Sequence, residues 1–188
     1  MNSKPELRRS LLKMRKSMPR SVWREKSDHL CTQLQTSTLF THAKTILAYF
    51  SFAQEPDLNP LFFTSTKDWG FPRCVGKSLL WHLWKPGEPL HLGAYNILEP
   101  DPYSSCVVPA KVDLILVPCI ACDSQGYRLG YGGGYYDRML SSPEWMNQPT
   151  MGVLFDFAYV PQLPISPWDR PLQGVVTETR NINLYKDL

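Results

Sequence analysis

At 188 residues, 43% hydrophobic and 20% charged, the chain is long enough for one full hydrophobic core and short for two, so a single domain over 1–188 is expected. No apolar run approaches the roughly 20 residues of a membrane span and the N-terminus lacks the apolar core of a secretory signal, so a soluble cytoplasmic protein without a membrane partner is expected. The net charge of +3 hides a basic N-terminus, since residues 1–26 carry +7 and the remainder −4, and five scattered cysteines, an odd number, argue against a disulfide framework.

Ser3-Lys4-Pro5-Glu6 is a capping-box signature with proline in the first turn, and Leu7, Leu11, Met14 and Met18 follow at helical spacing. Lys4, Arg8, Arg9, Lys13, Arg15, Lys16, Arg20, Arg24 and Lys26 make this region basic. Such an arm suits nucleic acid, a membrane surface or a phosphorylated small molecule, but charge alone favours a solvated helix face. An organelle transit peptide is disfavoured by Glu6 and Glu25. Lys4 and Arg8 are four apart and project from one face, where both can reach one polyanion. Pro19 ends this helix, and Ser21 can cap a second in which Val22, Trp23, Leu30 and Leu34 supply apolar contacts.

Thr45 to Phe52 is almost continuously apolar, as expected for a central strand buried on both faces. Glu55 then lies just beyond its C-terminal end, where open α/β sheets place ligands. Asn59-Pro60 starts a short helix through about Asp68. Phe71–Val75 and Leu79–Trp84 read as strands, the second pairing with residues 92–97 as an antiparallel flap. Leu114–Val117, Thr150–Phe155 and Gly174–Thr177 complete the strands. Helices alternating with buried strands predict a three-layer α/β/α sandwich with a mostly parallel sheet.

The chemistry concentrates in Arg128-Leu129-Gly130-Tyr131-Gly132-Gly133-Gly134-Tyr135-Tyr136-Asp137-Arg138. Four of the chain's eleven glycines fall within five residues there, where a missing Cβ permits positive φ and close approach to a ligand. Strand, loop and helix start favour an anion site. The loop matches neither a P-loop nor a dinucleotide fingerprint. Arg128 ahead of it is a bidentate donor and Asp137 behind it a hard oxygen ligand suited to Mg²⁺, which together point to nucleotide phosphates. For Tyr135 and Tyr136 core filling competes with contact to a planar ring. Cys119-Ile120-Ala121-Cys122 lacks the second ligand pair of a zinc site and reads as packing at a strand end. The four histidines show no ligand or triad spacing.

The run Asp113 to Asp123, followed by Gly126 to Arg138, resembles the signature of the 5-formyltetrahydrofolate cyclo-ligase (5,10-methenyltetrahydrofolate synthetase) family. Lys4-x-x-x-Arg8, the strand leading to Glu55, Phe71-Pro72-Arg73, Gly93 to Pro100, and Trp168-Asp169 through Glu178 fall in the family's order. The resemblance implies a fold similar to sugar-phosphate isomerases and CoA transferases. It also implies ATP-dependent conversion of 5-formyltetrahydrofolate, polyglutamylated or not, to 5,10-methenyltetrahydrofolate. By residue match, Lys4, Arg8 and the loop from Arg128 through Leu129, Gly130, Tyr131, Gly132, Gly133, Gly134, Tyr135 and Tyr136 would bind ATP. Lys4, Arg128 and Tyr135 would be catalytic, Asp137 and Asp169 would support Mg²⁺, and Phe50, Glu55 and Tyr131 to Tyr135 would contact the folate. Tyr131 occupies a position that is basic in some relatives, so a phosphate contact is expected to be absent there or supplied by Arg138. A monomer that binds no nucleic acid is expected. A sugar-phosphate isomerase and a nucleic-acid or partner-binding module are the competing readings; the first leaves Lys4, Arg8 and Arg128 without a task, and the second would tolerate loss of Asp137.

Overall fold

The computed structural model describes residues 3–184. Helix α1 (Lys4–Lys16) begins with Glu6 accepting hydrogen bonds from the Ser3 amide and hydroxyl, both 2.8 Å. Helix α2 (Arg20–Thr36) is capped by Pro19, whose carbonyl accepts the Trp23 amide at 2.9 Å, so Ser21 lies inside the first turn and is not the cap. Proline at the boundary supplies an acceptor while losing only an amide that a helix start leaves unpaired. Helix α3 (Thr38–His42) leads into strand β1 (Thr45–Leu47), shorter than the apolar run around it. Ala48 still donates to the Gly70 carbonyl at 2.9 Å, but Phe50 turns aside to stack on Phe71, with centroids 4.1 Å apart.

Helix α4 (Asn59–Thr64) ends before Asp68, because Asp68 opens strand β2 (Asp68–Val75) and donates its amide to Lys44 at 2.9 Å. Strand β3 (Ser78–Trp84) pairs with β2 through a two-residue turn in which Gly76 has φ +58°, and not with residues 92–97. Joining adjacent segments costs less loop entropy than reaching past them. Residues 92–97 instead belong to a separate flap, strands β4 (Leu90–Leu92) and β5 (Leu98–Pro100) pairing with each other.

After strand β6 (Leu114–Pro118) the chain makes strands β7 (Ala121–Asp123) and β8 (Arg128–Leu129), then helix α5 (Tyr135–Leu140). Strands β9 (Thr150–Val153), β10 (Tyr159–Val160), β11 (Gly174–Val176) and β12 (Asn181–Asn183) follow. The main sheet runs β12-β11-β9-β6-β1-β2-β3, with β11 to β2 mutually parallel and one antiparallel strand at each edge. The β10-β7-β8 sheet has strands of two and three residues, too short to show alternation in sequence.

Alternation along the central strands divides the core in two. Ile46, Leu114, Leu116, Met151 and Val153 pack with Leu30, Leu34, Phe40 and Leu61 of α2, α3 and α4. Leu47, Ile115, Val117 and Val175 pack on the other face with Leu11 of α1 and Met139 and Leu140 of α5. Period-two side-chain direction in a sheet covered on both faces produces this three-layer α/β/α arrangement. The chain leaves β1 toward β2 on one side and leaves β6 toward β9 on the other. The carboxyl ends of β1 and β6 thus flank the topological switch point, where a crevice opens.

Candidate active site

A cavity of about 940 Å³ occupies that crevice. Glu55 enters it from the loop after β1, the glycine loop from the chain after β6, Lys4 and Arg8 from α1, and Asp169 from the loop before β11. Asp123 anchors two of these segments: its buried carboxylate accepts the amides of Gln125 and Tyr127 at 3.0 Å and of Leu163 at 2.9 Å.

In the glycine loop Gly132 has φ +100° and Gly134 φ +67°, and Gly134 caps α5. A Cβ on Gly134 would sit 2.7 Å from an Arg138 nitrogen. The loop is held from both sides, Arg8 Nε donating to the Gly130 carbonyl at 2.7 Å and Arg138 donating to the Gly133 carbonyl at 2.9 Å. Within the described residues the amides of Gly130 through Gly134 find no acceptor. Unpaired N–H groups beside positive-φ glycines form a concave donor set suited to an anion. Neither Arg8 nor Arg138 has a carboxylate partner among the described residues.

The remaining cations of the cavity are engaged by its carboxylates. Lys4 pairs with Asp169, which also accepts the Ser166 amide at 2.6 Å, and Lys4 donates to the Ser166 hydroxyl at 2.9 Å. Arg128 donates to Asp137 Oδ1 at 2.9 Å and lies over the Tyr136 ring. These two pairs present one carboxylate and one cation each to the cavity. Among the described residues no group of three or more His, Cys, Asp or Glu could hold a metal by itself. Mg²⁺ is ordinarily held by one or two carboxylates together with phosphate oxygens and water, so Asp137 and Asp169 fit that cation in the presence of a polyphosphate.

Glu55 is 4% exposed, and burial pushes its carboxyl up to about 7 against the opposing pull of Arg15 and of a hydrogen bond from the Phe52 amide at 3.1 Å. The loop carrying it is strained. Ala53 (φ +47°) and Gln54 (φ +57°) both occupy the left-handed region that non-glycine residues avoid. Arg15 Nε donates to the Ala53 carbonyl at 3.0 Å, Gln54 to the Met18 carbonyl at 3.0 Å, and Trp23 to the Glu55 carbonyl at 2.9 Å, so α1 and α2 hold this turn. The flap closes the far wall: Tyr95 lies 3.0 Å, oxygen to oxygen, from Tyr135, whose hydroxyl also donates to Gly76 at 3.0 Å.

Comparison with known proteins fits this geometry. Residues 1–178 match the model of the 5-formyltetrahydrofolate cyclo-ligase family. The chain is 30% identical to 5-formyltetrahydrofolate cyclo-ligase of Mycolicibacterium smegmatis, over 96% of each protein. It is 28% identical to the Escherichia coli K12 protein of the same name, over 88% of this chain and 95% of that one. The NMR structure of Aquifex aeolicus 5,10-methenyltetrahydrofolate synthetase superposes with a TM-score of 0.87 at 32% identity, covering 98% of this chain and 94% of that one. A Mycoplasma pneumoniae 5,10-methenyltetrahydrofolate synthetase shares the fold, with a TM-score of 0.74 at 19% identity over 94% of this chain and 99% of that one.

The chain belongs to the 5-formyltetrahydrofolate cyclo-ligase family, a family of enzymes.

Within this cyclo-ligase fold every residue the sequence nominated for the site lines the one cavity. They differ in what they can offer a ligand. Leu129 and Phe50 are buried, Leu129 in the core and Phe50 among Phe62, Phe71 and Trp84, so each shows the cavity only part of its surface. The Tyr136 ring packs on Trp81, core filling as one of its two readings expected, whereas Tyr135 faces the flap. Tyr131 turns its hydroxyl to Arg15, and Arg138 reaches the loop at the Gly133 carbonyl. Cys119 and Cys122 are buried free thiols raised by desolvation, Cys119 to about 12, as packing residues would be.

Sequence reading missed Arg15, Ser166 and Tyr95. Arg15 was legible in principle, because Lys4, Arg8, Leu11 and Arg15 follow the i, i+4, i+7, i+11 spacing of one helix face. Ser166 and Tyr95 sit in irregular segments with no periodic signal.

Proposed function

We propose that this cyclo-ligase uses ATP and Mg²⁺ to convert 5-formyltetrahydrofolate to 5,10-methenyltetrahydrofolate, with release of ADP and phosphate, as a monomer in the cytoplasm. The observation that carries this reading is the unpaired row of amides from Gly130 to Gly134, with Arg8 and Arg138 beside it, sharing one cavity with buried Glu55. One part of the cavity suits a polyphosphate and another a polar heterocycle.

In this reading the triphosphate lies along the loop amides, with Arg8, Arg128 and Lys4 neutralising its charge. Mg²⁺, held through Asp137 and Asp169, would supply further charge neutralisation on the phosphates. The formyl oxygen attacks the γ-phosphorus and ADP leaves. The N10 lone pair then attacks the formyl carbon, the C–O bond breaks with departure of phosphate, and N10 gives up its proton, leaving the methenyl bridge. Phosphoryl transfer of this kind needs positioning and charge stabilisation more than covalent participation. A protein nucleophile has no task in these steps, and the buried cysteines are not placed to be one. Glu55 orients the pterin by accepting hydrogen bonds from its donor edge, and Tyr135, under the flap, shields the reacting centre from water.

Purified protein supplied with ATP, Mg²⁺ and 5-formyltetrahydrofolate is expected to form the conjugated methenyl product, followed spectrophotometrically. Folded protein that gives none overturns the proposal.

A further inference from the structure

Phe71-Pro72-Arg73 and Gly93 to Pro100 supply no group to the reaction steps above, yet they meet at one wall of the cavity. Strand β1 pairs with β2 only as far as Gly70, so beyond it that edge of β2 has no ladder partner among the described residues. The flap covers this edge, but its two strands, of three residues each, pair with each other and not with β2. A two-stranded ribbon of that length is not stable by itself, so its place over the cavity needs ties to the body of the protein. Side chains make them. Glu99, 5% exposed, accepts the Cys74 amide at 2.9 Å through Oε1, and its Oε2 lies 3.5 Å from the Arg73 guanidinium. Arg73 also donates to the Pro100 carbonyl. A Cβ at Gly93 would lie 2.4 Å from the Glu99 carboxyl, so glycine at the base of the flap turn leaves that carboxylate its place.

We propose that Glu99 is a positioning residue that fastens the flap to β2, so that Tyr95 meets Tyr135 and the cavity is shut to water while the phosphorylated formyl group exists. This rests on the reaction proposed above. Both Glu99 oxygens are engaged within the protein, which makes it a fastener and not a ligand for the folate. The contact at the tip has a fixed direction. Tyr135 gives its proton to the Gly76 carbonyl, so the Tyr95 hydroxyl, 3.0 Å away, is the donor to Tyr135. Ile97 and Leu98 of the flap also line the cavity and make its wall apolar. The need for closure comes from the chemistry. Once the γ-phosphoryl is on the formyl oxygen, water competes with N10 for the formyl carbon. If water attacks, the C–O bond to phosphate breaks, one water proton leaves with the phosphate and the other passes to solvent, and 5-formyltetrahydrofolate is regenerated. The net change is then ATP and water to ADP and phosphate, with no methenyl product. A fastened flap excludes that side reaction.

The test counts ADP released against methenyl product formed by the full-length protein with ATP, Mg²⁺ and 5-formyltetrahydrofolate. The unmodified protein is expected to give a ratio of about one and Glu99→Ala about two or more, because each intercepted turnover releases ADP without product. Loss of folded protein lowers both counts together and leaves the ratio unchanged, so the ratio separates positioning from stability. Gly93→Ala keeps Glu99 in the chain but puts a methyl group where its carboxyl lies. It should raise the ratio too, and it reads the effect even if Glu99→Ala does not fold. Glu99→Gln keeps the acceptor for the Cys74 amide, removes the charge facing Arg73 and should fall between Glu99→Ala and the unmodified protein. Amide hydrogen exchange in the ligand-free protein reads the tie without the reaction: flap amides should exchange about tenfold faster or more in Glu99→Ala, with those of β6 unchanged. A ratio unmoved in both Glu99→Ala and Gly93→Ala, or flap exchange equal to that of the unmodified protein, overturns the role of Glu99. If the unmodified protein forms no methenyl product, the reaction reading itself fails; if it forms product and the variants keep its ratio, only the flap role is wrong.

Discussion

Single residues in this cyclo-ligase trade stability for a charged, shaped site. Glu55 is the clearest case. Its carboxyl is raised from 4.5 to about 7, so the folded protein holds that proton more tightly than the unfolded chain. The associated stability is fully present below about 4.5 and is lost as pH rises through about 7. Glu55→Gln is therefore expected to stabilise the ligand-free protein at pH 8 by on the order of 2–3 kcal/mol and to leave it unchanged near pH 4, measured by urea denaturation at the two pH values. The glycines differ among themselves in a similar way. Gly134→Ala must place a side chain at positive φ against Arg138 and should cost about 1–2 kcal/mol, whereas Gly130→Ala meets open space and should change stability by less than about 0.5 kcal/mol. Thermal melts of the two variants check this. The glycine cluster was plain in the sequence, but which glycines need their freedom depends on φ values that no residue name encodes.

At the level of elements, α1 is the part whose meaning changed most between sequence and structure. Its charge suggested a solvated face, and Arg9 and Lys13 do lie exposed. The opposite stripe, Lys4, Arg8, Leu11 and Arg15, faces the cavity and the core. Lys4→Ala and Arg8→Ala are each expected to raise the KM for ATP about tenfold or more with little change in that for folate, as measured by steady-state kinetics. Lys4→Ala should have the further effect of leaving Asp169 without its cation, so its kinetics should respond more strongly to Mg²⁺ concentration than those of Arg8→Ala. The hairpin of β2 and β3 shows where local pattern reading fails. Both strands were visible, but the pairing partner was not, because strand pairing is a choice among segments that all satisfy the same alternation. The flap of β4 and β5 exists, yet it closes on the site through Tyr95 and Tyr135 and does not extend β3.

For the whole molecule, the switch point between β1 and β6 gathers segments from residue 4 to residue 169 around one cavity, which makes the site dependent on the fold closing completely. Removal of Mg²⁺ by a chelator is expected to abolish turnover while leaving the melting temperature of the ligand-free protein within about 2 °C, since no described ion pair or core contact needs a metal. A large fall in melting temperature would instead assign the metal a structural role. The sequence by itself determined the layer order, the buried central strands, the basic helix and the residues that carry the family signature, because hydrophobic period, caps and glycine placement are local properties. Tertiary structure alone decided the ion pairs of Lys4 with Asp169 and Arg128 with Asp137, the loop amides left unpaired among the described residues, and the contacts of Arg15 with Tyr131 and with the turn before Glu55. Each of those depends on residues from 9 to 165 positions apart being brought into one low-dielectric crevice, where charge and hydrogen-bond partners are set by neighbours in space and not in sequence.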